Sequence, residues 1–576
     1  MDPKVLEKAR SWASNPLFDE AFRSEINSLL QEENYAEITD RFYQDLEFGT
    51  GGLRGVLGAG SNRMNIYTVR KATQGMADYI LEALEGKPAS VAIAYDCRNF
   101  SDVFSEEVAS VLAANGITAH LFPALRPTPM LSYAVRELQT TAGIVVTASH
   151  NPREYNGYKV YWSDGCQITA PHDTGIIGKV NGISNFSQIK TMDFAAAKKQ
   201  GLIQMISEAV DESYYDRVTG IALGNPEWNK DLGIVFSPLH GAGNLPVREV
   251  LKRRGFEQVR VVEAQELPDG NFPTVDSPNP EEMSALQLSL ECAKETDQLI
   301  LATDPDADRI GGMVRHQGAW VRLNGNQIGQ LLLAYYLEKL KQQDRLPQDG
   351  IFITTIVTSE LGKKISQHYG VKTEETLTGF KYIAGRIREL EAEGGGTFLF
   401  GTEESHGYLF DDFVRDKDAV SAAMILAELC AELKQQGKSV MDFLEEIYQQ
   451  FGYHQDSLVT KVIKGQAGAQ QIQKIMKSLR ANPPRIIAGV AVEEIRDYQK
   501  DSIFSCKTGE IVGKIGLPIS NVLAFYMADG SRITARPSGT EPKIKFYFNL
   551  CGNNVESLKK VQGQYEQEFS QIVEKI

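Results

Sequence analysis

The sequence predicts an α/β protein: three related α/β blocks in series, then a smaller C-terminal α+β domain. Short β-branched runs alternate with longer segments whose apolar residues recur at helical spacing, and this rhythm restarts twice before changing near residue 456. At 576 residues the chain also exceeds what one core organises, since domains run to about 100–200 residues.

Taken in order, "MDPKVLEKARSWASNPLFDEAF" is charged every few residues, reads as helical and lacks the apolar stretch of a secretory signal. The first block pairs the strand-like "SVAIAY" with the helix-like "SEEVASVLAANG", and the helix-like "MLSYAVREL" with "AGIVV". The second runs "LGIVFS", "LPVREVLKRRGF", "VRVVEA", "SALQLSLECAKE" and "QLILAT". The third runs "QIGQLLLAYYLEKLKQQ", "GIFITTIV", "SELGKKISQHYG", "YIAGRIRELEAEG" and "TFLFG". The helical "AVSAAMILAELCAELKQQG" leads to a tail in which "LAFYMA" and "KIKFYFNL" read as strands and "VESLKKVQGQYEQEFSQIVEKI" as a long helix. These blocks suggest duplicated architecture, without repeated letters, and expected domains of 1–208, 209–320, 321–452 and 453–576.

A hydrophobic share of 42% with 23% charged residues is that of a globular protein, which excludes disordered and fibrous classes. A formal net charge of −15 argues against nucleic acid or anionic membranes as partners, while a small anionic substrate could still enter a locally basic pocket. The cysteines 97, 166, 292, 430, 506 and 551 form no CxxC and are expected to be buried free thiols of a reducing compartment. No run reaches the ~18 apolar residues of a spanning helix. The expectation is a soluble cytoplasmic enzyme, monomeric or weakly dimeric, acting on a small molecule.

Four loops carry the chemistry. "TASHNP" sets Ser149 and His150 beyond the strand-like "AGIVV", where ligands sit in open α/β sheets. It is not G-x-S-x-G, so a lipase-type nucleophile is excluded, and on its own the Ser-His pair equally describes a hydrogen-bonded turn. "DPDADR" places Asp304, Asp306 and Asp308 at alternate positions after "QLILAT", able to converge on one hard cation such as magnesium; the other reading is a solvated acidic turn. An EF-hand is excluded, since Arg309 and Arg315 stand where its sixth-position Gly and twelfth-position Glu belong. "RPSGTEPKIKFY" offers Arg536, Ser538, Gly539, Thr540 and Lys543 as an anion cradle or a structural turn; no P-loop occurs, so ATP binding of that kind has no support. "GTEESHGY" presents Glu403, Glu404, Ser405 and His406, either acceptors for sugar hydroxyls or a capped loop.

In this order, from "FGTGGLRG" through "YDCR", "TASHNPREYNGYKVY", "DPDADR", "TGFKYI" and "GTEESHGY" to "RPSGTEPK", the chain resembles the α-D-phosphohexomutase superfamily, in particular its longer-chain phosphoglucomutase/phosphomannomutase type. The resemblance implies three related α/β domains and a smaller fourth around a central cleft, carrying in turn the phosphoserine, metal, sugar and phosphate loops. It implies interconversion of α-D-glucose 1-phosphate and glucose 6-phosphate through a phosphoserine and glucose 1,6-bisphosphate, with one Mg2+ per subunit. By the same likeness Ser149 is the phosphorylated serine, and Asp304, Asp306 and Asp308 hold magnesium together with an oxygen on that serine. Arg54, Lys159 and Arg309 match cations of the cleft, and Lys381 matches a lysine near the transferring group. Glu403 and Ser405 match sugar ligands, and Arg536, Ser538, Gly539 and Thr540 match the cradle for the phosphate that is not reacting. His150 is expected to hydrogen-bond phosphate, and Lys159 and Lys381, among other cations, to have lowered pKa values suited to acid–base work. Some relatives carry a histidine two positions after the sugar-loop serine; here Gly407 stands there and His406 precedes it, leaving His406 an open candidate. Rival readings are a mannose, pentose or N-acetylated aminosugar phosphate as substrate, an aspartyl-phosphate enzyme using Asp304 as nucleophile, and a non-catalytic sugar-phosphate sensor.

Overall fold

The computed structural model describes residues 2–463, 466–538 and 543–576, with the backbone alone at 466, 467 and 469, so Gly539 and Thr540 of the expected cradle lie outside the described residues. The N-terminal segment forms helices Pro3–Ser14, Glu20–Gln31 and Tyr35–Phe42. Each begins where the sequence supplies an acceptor for an orphan helix N–H: Asp2, Asp19 and Asn34 accept from Lys4, Phe22 and Glu37. Val5, Ala9 and Trp12 share one helical face, and Trp12 packs on Phe18 with ring centroids 4.6 Å apart.

The first α/β block is a six-stranded sheet of β1 (Gly52–Val56), β2 (Ser90–Tyr95), β3 (Thr118–Leu121), β4 (Ala142–Val146), β5 (Tyr155–Trp162) and β6 (Ile203–Met205), ordered β1-β5-β4-β2-β3-β6. Strands β4, β2, β3 and β6 run parallel and β1 and β5 antiparallel to their neighbours. Helices cover the parallel strands, so β4 is buried along its whole length, as an unbroken "AGIVV" requires. The second block is a five-stranded sheet of β7 (Gly233–Ser237), β8 (Val259–Val261), β9 (Asp297–Thr303), β10 (Ile310–His316) and β11 (Ala319–Leu323), ordered β11-β10-β9-β7-β8. The third contributes β12 (Gly350–Thr355), β13 (Lys372–Thr376), β14 (Thr397–Glu403) and β15 (Gly407–Phe410), with β12 and β13 parallel. Thus the expected three α/β blocks and C-terminal domain are all present.

The tail is an antiparallel sheet of β16 (Tyr453–Val462), β17 (Ile486–Ile487), β18 (Val490–Asp497), β19 (Ser502–Ser505), β20 (Glu510–Gly513), β21 (Leu523–Met527), β22 (Arg532–Pro537) and β23 (Lys543–Gly552). Its main path is β16-β23-β22-β21-β18-β19-β20, with β17 beside β18. The last helix, Val555–Glu574, buries Phe569 against Phe525, Phe546 and Phe548 at centroid distances of 5.9, 5.3 and 6.0 Å.

By contact the chain forms two compact units. The first comprises residues 1–323, 384–399 and 406–437, and the second residues 324–383, 400–405 and 438–576. Cys166 and Cys430 are buried as expected, but Cys292, on the last turn of helix Met283–Cys292, is exposed and the other three are half-buried. No helix among the described residues is long and apolar enough to cross a membrane.

Because Phe569 is fully enclosed by three rings, Phe569→Ala is expected to cost roughly 3–5 kcal/mol, read as a lower urea midpoint; an unchanged midpoint contradicts this packing.

Candidate active site

The serine loop leaves β4 and returns through β5. Thr147 Oγ1 accepts the Ser149 N–H at 2.8 Å, and Ser149 takes a left-handed φ of 52°, a conformation a non-glycine residue holds only where its surroundings impose it. Gly157 on β5 permits the close approach: a Cβ there would stand 2.4 Å from the Thr147 carbonyl oxygen. The imposing group is Arg98 of "YDCR", whose side chain is fully buried. Its Nη1 donates to the carbonyls of Pro152 at 2.9 Å and Tyr155 at 3.0 Å, and its Nη2 to those of Ser149 at 2.5 Å and of Asn151. One guanidinium therefore satisfies four carbonyls of the loop.

The aspartate loop joins β9 to β10. Asp304, Asp306 and Asp308 are all buried, and they offer ligand oxygens that lie within 4.8 Å of one another. Ala307 turns the loop with φ 46°, and Asp304 Oδ1 accepts the N–H groups of Asp308 at 3.1 Å and Arg309 at 2.9 Å. Ser149 Oγ donates to Asp304 Oδ2 at 2.7 Å, which brings the two loops together across 155 residues of sequence. His150 Nδ1 lies 3.2 Å from the same hydroxyl, in position to donate to it.

Positive groups answer the buried carboxylates. Lys159 Nζ contacts Asp306 Oδ2 at 2.7 Å and Asp308 Oδ2 at 3.2 Å, and Lys417 Nζ reaches Asp308 Oδ2 at 3.1 Å. Thr128, in the first turn of helix Thr128–Glu137, donates its hydroxyl to Asp306 Oδ2 at 2.7 Å and its N–H to the Asp306 carbonyl at 2.9 Å. Burial and repulsion from Asp306 and Asp308 push Asp304 well above the usual carboxylate range. Asp308 is buried as well, yet Lys159 and Lys417 hold it below that range. Burial by itself would lower Lys159, but Asp306 and Asp308 outweigh it and its pKa is raised. The expected lowering is thus reversed, because the nearest charges are carboxylates rather than cations.

The remaining candidates of the first unit lie around this centre. Arg54 on β1 is exposed and donates to Asn151 Oδ1 at 3.3 Å. Arg309 pairs with Glu281 Oε1 at 2.5 Å. Burial, then the charges of Arg309 and Arg54, depress His150 well below the ordinary histidine range. His406 is buried at φ 59°, its Nδ1 2.9 Å from the Ile310 carbonyl; since a carbonyl only accepts, Nδ1 carries the proton and Nε2 is left as the acceptor.

Asp306 Oδ1 and Asp308 Oδ1 are buried without a hydrogen-bond partner. Two orphaned carboxylate oxygens in one cluster, beside a third carboxylate and a hydroxyl, fit a hard divalent cation held through oxygen.

In the second unit Glu403 Oε1 accepts the Gly379 N–H of "TGFKYI" at 2.7 Å, and Lys381 Nζ sits 5.3 Å from the Tyr382 ring centroid. Ser405 is half-buried. Glu404 Oε2 receives the hydroxyls of Thr355 and Thr358, each at 3.4 Å. Burial and repulsion from Glu403 push Glu404 up to about 7, against the attraction of Lys545 and Arg536. Arg536 on β22 lies directly opposite Lys545 on β23, a like-charged cross-strand pair, and the Ser538 N–H donates to the Lys543 carbonyl at 2.8 Å. Arg98, Thr128 and Lys417 escaped the sequence reading: the first stood within a quoted motif without a role, and the other two lie outside every quoted segment.

Two measurements check this geometry. Arg98→Lys, which lacks the fork that serves four carbonyls, is expected to lose roughly 1–3 kcal/mol in urea unfolding, while exposed Arg54→Lys changes it by no more than about 0.5 kcal/mol; equal losses contradict the clamp. Glu404 has a folded pKa of about 7 against an ordinary 4.5, so its contribution to stability is full below 4.5 and is lost as pH rises through 7. Glu404→Gln is expected to flatten the decline of stability across that interval, and an unaltered slope contradicts the shift.

The chain matches, segment by segment, the phosphoglucomutase/phosphomannomutase alpha/beta/alpha domains I, II and III at residues 45–186, 212–318 and 324–451 and the family's C-terminal domain at 471–562. A phosphoglucomutase of Staphylococcus haemolyticus is 40% identical over 527 residues, covering 90% of this chain and 93% of that protein. In fold, the chain is similar to the exocytosis-sensitive phosphoprotein parafusin, a phosphoglucomutase of Paramecium, at a TM-score of 0.68 and 20% identity over 92% of this chain and 95% of that one. It is likewise similar to N-acetylphosphoglucosamine mutase of Aspergillus fumigatus at a TM-score of 0.52 and 12% identity over 95% and 99%. The chain belongs to the phosphoglucomutase/phosphomannomutase family, enzymes of intramolecular phosphate transfer.

Proposed function

We propose that the chain interconverts α-D-glucose 1-phosphate and glucose 6-phosphate, with Ser149 Oγ as the carrier of the phosphoryl group. The observation that carries this reading is the Ser149 hydroxyl held 2.7 Å from Asp304 within a buried cluster of three aspartates. In the first half-reaction the bond from phosphorus to Ser149 Oγ breaks as one forms to a sugar hydroxyl, giving glucose 1,6-bisphosphate. The proton lost by the sugar hydroxyl balances the one gained at Oγ, and neutral His150, its Nδ1 3.2 Å from Oγ, contributes a hydrogen bond to that oxygen rather than the proton. In the second half Ser149 takes the other phosphoryl group from the bisphosphate and releases the isomer.

Asp304, Asp306 and Asp308, with an oxygen on Ser149, would hold one Mg2+, which when bound draws charge from the phosphoryl oxygens. Lys159 is kept as an ammonium by Asp306 and Asp308, which suits it to donate a proton or positive charge rather than to act as base. Lys417 supplies a second ammonium at Asp308, and Arg54 and Arg309 add fixed positive charge. His406, its Nδ1 proton committed to a backbone carbonyl, offers only an acceptor nitrogen to a sugar hydroxyl. In the second unit we assign Glu403 and Ser405 to sugar hydroxyls, Lys381 to the transferring group, and Arg536, Ser538, Gly539 and Thr540 to the phosphate that is not reacting. The like-charged pair Arg536–Lys545 supports the last assignment. The expected boundaries 1–208, 209–320, 321–452 and 453–576 are retained in this proposal, since each matched family segment falls inside one of them.

A coupled assay tests the reading with glucose 1-phosphate, mannose 1-phosphate and ribose 1-phosphate in parallel. Glucose 1-phosphate is expected to be turned over fastest, Ser149→Ala to lose roughly 10⁴-fold in kcat, and chelation to abolish turnover until Mg2+ is restored. A Ser149→Ala variant with ordinary activity overturns the carrier role, and a faster rate with mannose or ribose 1-phosphate overturns the substrate.

A further inference from the structure

The C-terminal sheet carries a feature that sugar-phosphate transfer does not use. Two hollows open where helix Gln466–Ala481 meets the segment leading into β17 and the loop after β18, and both are lined by Arg480, Ala481 and Lys500. The larger, of 570 Å³, is walled by Lys474, Lys477, Arg480 and Lys500 with two glutamines and no carboxylate. The smaller, of 280 Å³, adds Arg485 and an apolar wall that includes Leu479, Ile495, Phe504, Ile511 and Leu523. Asp497 is the one acidic residue lining either hollow.

The cations are poorly neutralised. Asp497 Oδ1 already accepts from Arg480 Nε at 3.1 Å and from the Gln499 N–H at 3.1 Å, and Lys500 approaches Asp497 only to 3.9 Å. Arg480 Nη2 is buried without a hydrogen-bond partner, and among the described residues Lys477 has no carboxylate within ion-pair distance. Lys474 is an exception, met at 2.5 Å by a terminal oxygen of Ile576, and Arg485 lies 5.3 Å from the Phe504 ring centroid. In a chain of net charge −15, this many cations facing one hollow marks a place selected for an anion by physics rather than by average composition. The adjoining wall, with Phe504 and aliphatic side chains, suits a flat apolar ring better than a sugar, whose hydroxyls would find few partners there.

We infer that these two hollows form one non-catalytic binding site for a nucleoside phosphate, the phosphates lying against Lys477, Arg480 and Lys500 and the base against Phe504. Having no P-loop, the site holds its phosphates by side chains rather than by backbone amides.

Calorimetric titration of the full chain tests this, with an equilibrated mixture of glucose phosphates present to occupy the reaction site. ATP is expected to bind with a Kd of roughly 10–100 μM, and adenosine or tripolyphosphate each at least about tenfold more weakly. The double variant Lys477→Gln/Lys500→Gln should weaken ATP about tenfold and leave mutase turnover unchanged; Phe504→Leu should weaken ATP but not tripolyphosphate. All these side chains are at least partly exposed, and unchanged melting temperatures will establish that both variants are folded. Absence of ATP heat at millimolar concentration, an affinity unaltered in both variants, or tripolyphosphate binding as tightly as ATP overturns the inference.

Discussion

Three buried carboxylates in one loop repel one another, and the first unit is arranged around that repulsion. Asp306 and Asp308 share Lys159, Asp308 also takes Lys417, and Asp304 is left to accept two backbone N–H groups and the hydroxyl of Ser149. The asymmetry has a chemical outcome. Asp308 is held ionised by two ammonium groups while Asp304, with no ammonium of its own, is driven upward, so the cluster keeps an unmet demand for positive charge on the side facing the serine. A divalent cation together with a phosphoryl group, as proposed, would meet this demand, each making the other's burial tolerable.

Holding that cluster against the Ser149 hydroxyl depends on backbone as much as on charge. Ser149, Ala307 and His406 all adopt left-handed conformations with side chains larger than hydrogen, each at the turn of a different loop. Strain at such positions persists only where the surroundings over-determine it. For the serine loop the determinant is Arg98, which converts four carbonyls into one rigid receptacle. At His406 it is a double tie to Ile310, whose carbonyl faces Nδ1 and whose N–H donates to the His406 carbonyl.

Local patterns made the fold and the centre of the site legible. "AGIVV" reads as a strand because a buried parallel strand has no polar face, and "DPDADR" offered a cation loop beside a solvated acidic turn, a choice that the burial of all three carboxylates favours toward the former. Features that depend on distant partners were not legible. Lys159 was expected to lose basicity among cations, yet it lies against carboxylates 147 and 149 residues away and gains it. Arg98 looks like any arginine after a strand, and its four acceptors are backbone carbonyls that no residue type advertises. Lys417 sits in "VRDKDAV", whose alternating charges match none of the motifs, and only the fold brings it to Asp308. The cations of the proposed cradle were legible as residue types, whereas the placement of Arg536 opposite Lys545 needed the strand register.

The measurement that bears most directly on the account is the chemical nature of the phosphoenzyme. After brief incubation with glucose 1,6-bisphosphate labelled at phosphorus, proteolysis and peptide mapping should recover the label as an acid-stable ester on Ser149. A label that is hydroxylamine-sensitive and maps to Asp304 would contradict it, since the carboxylate, not the hydroxyl, would then be the nucleophile.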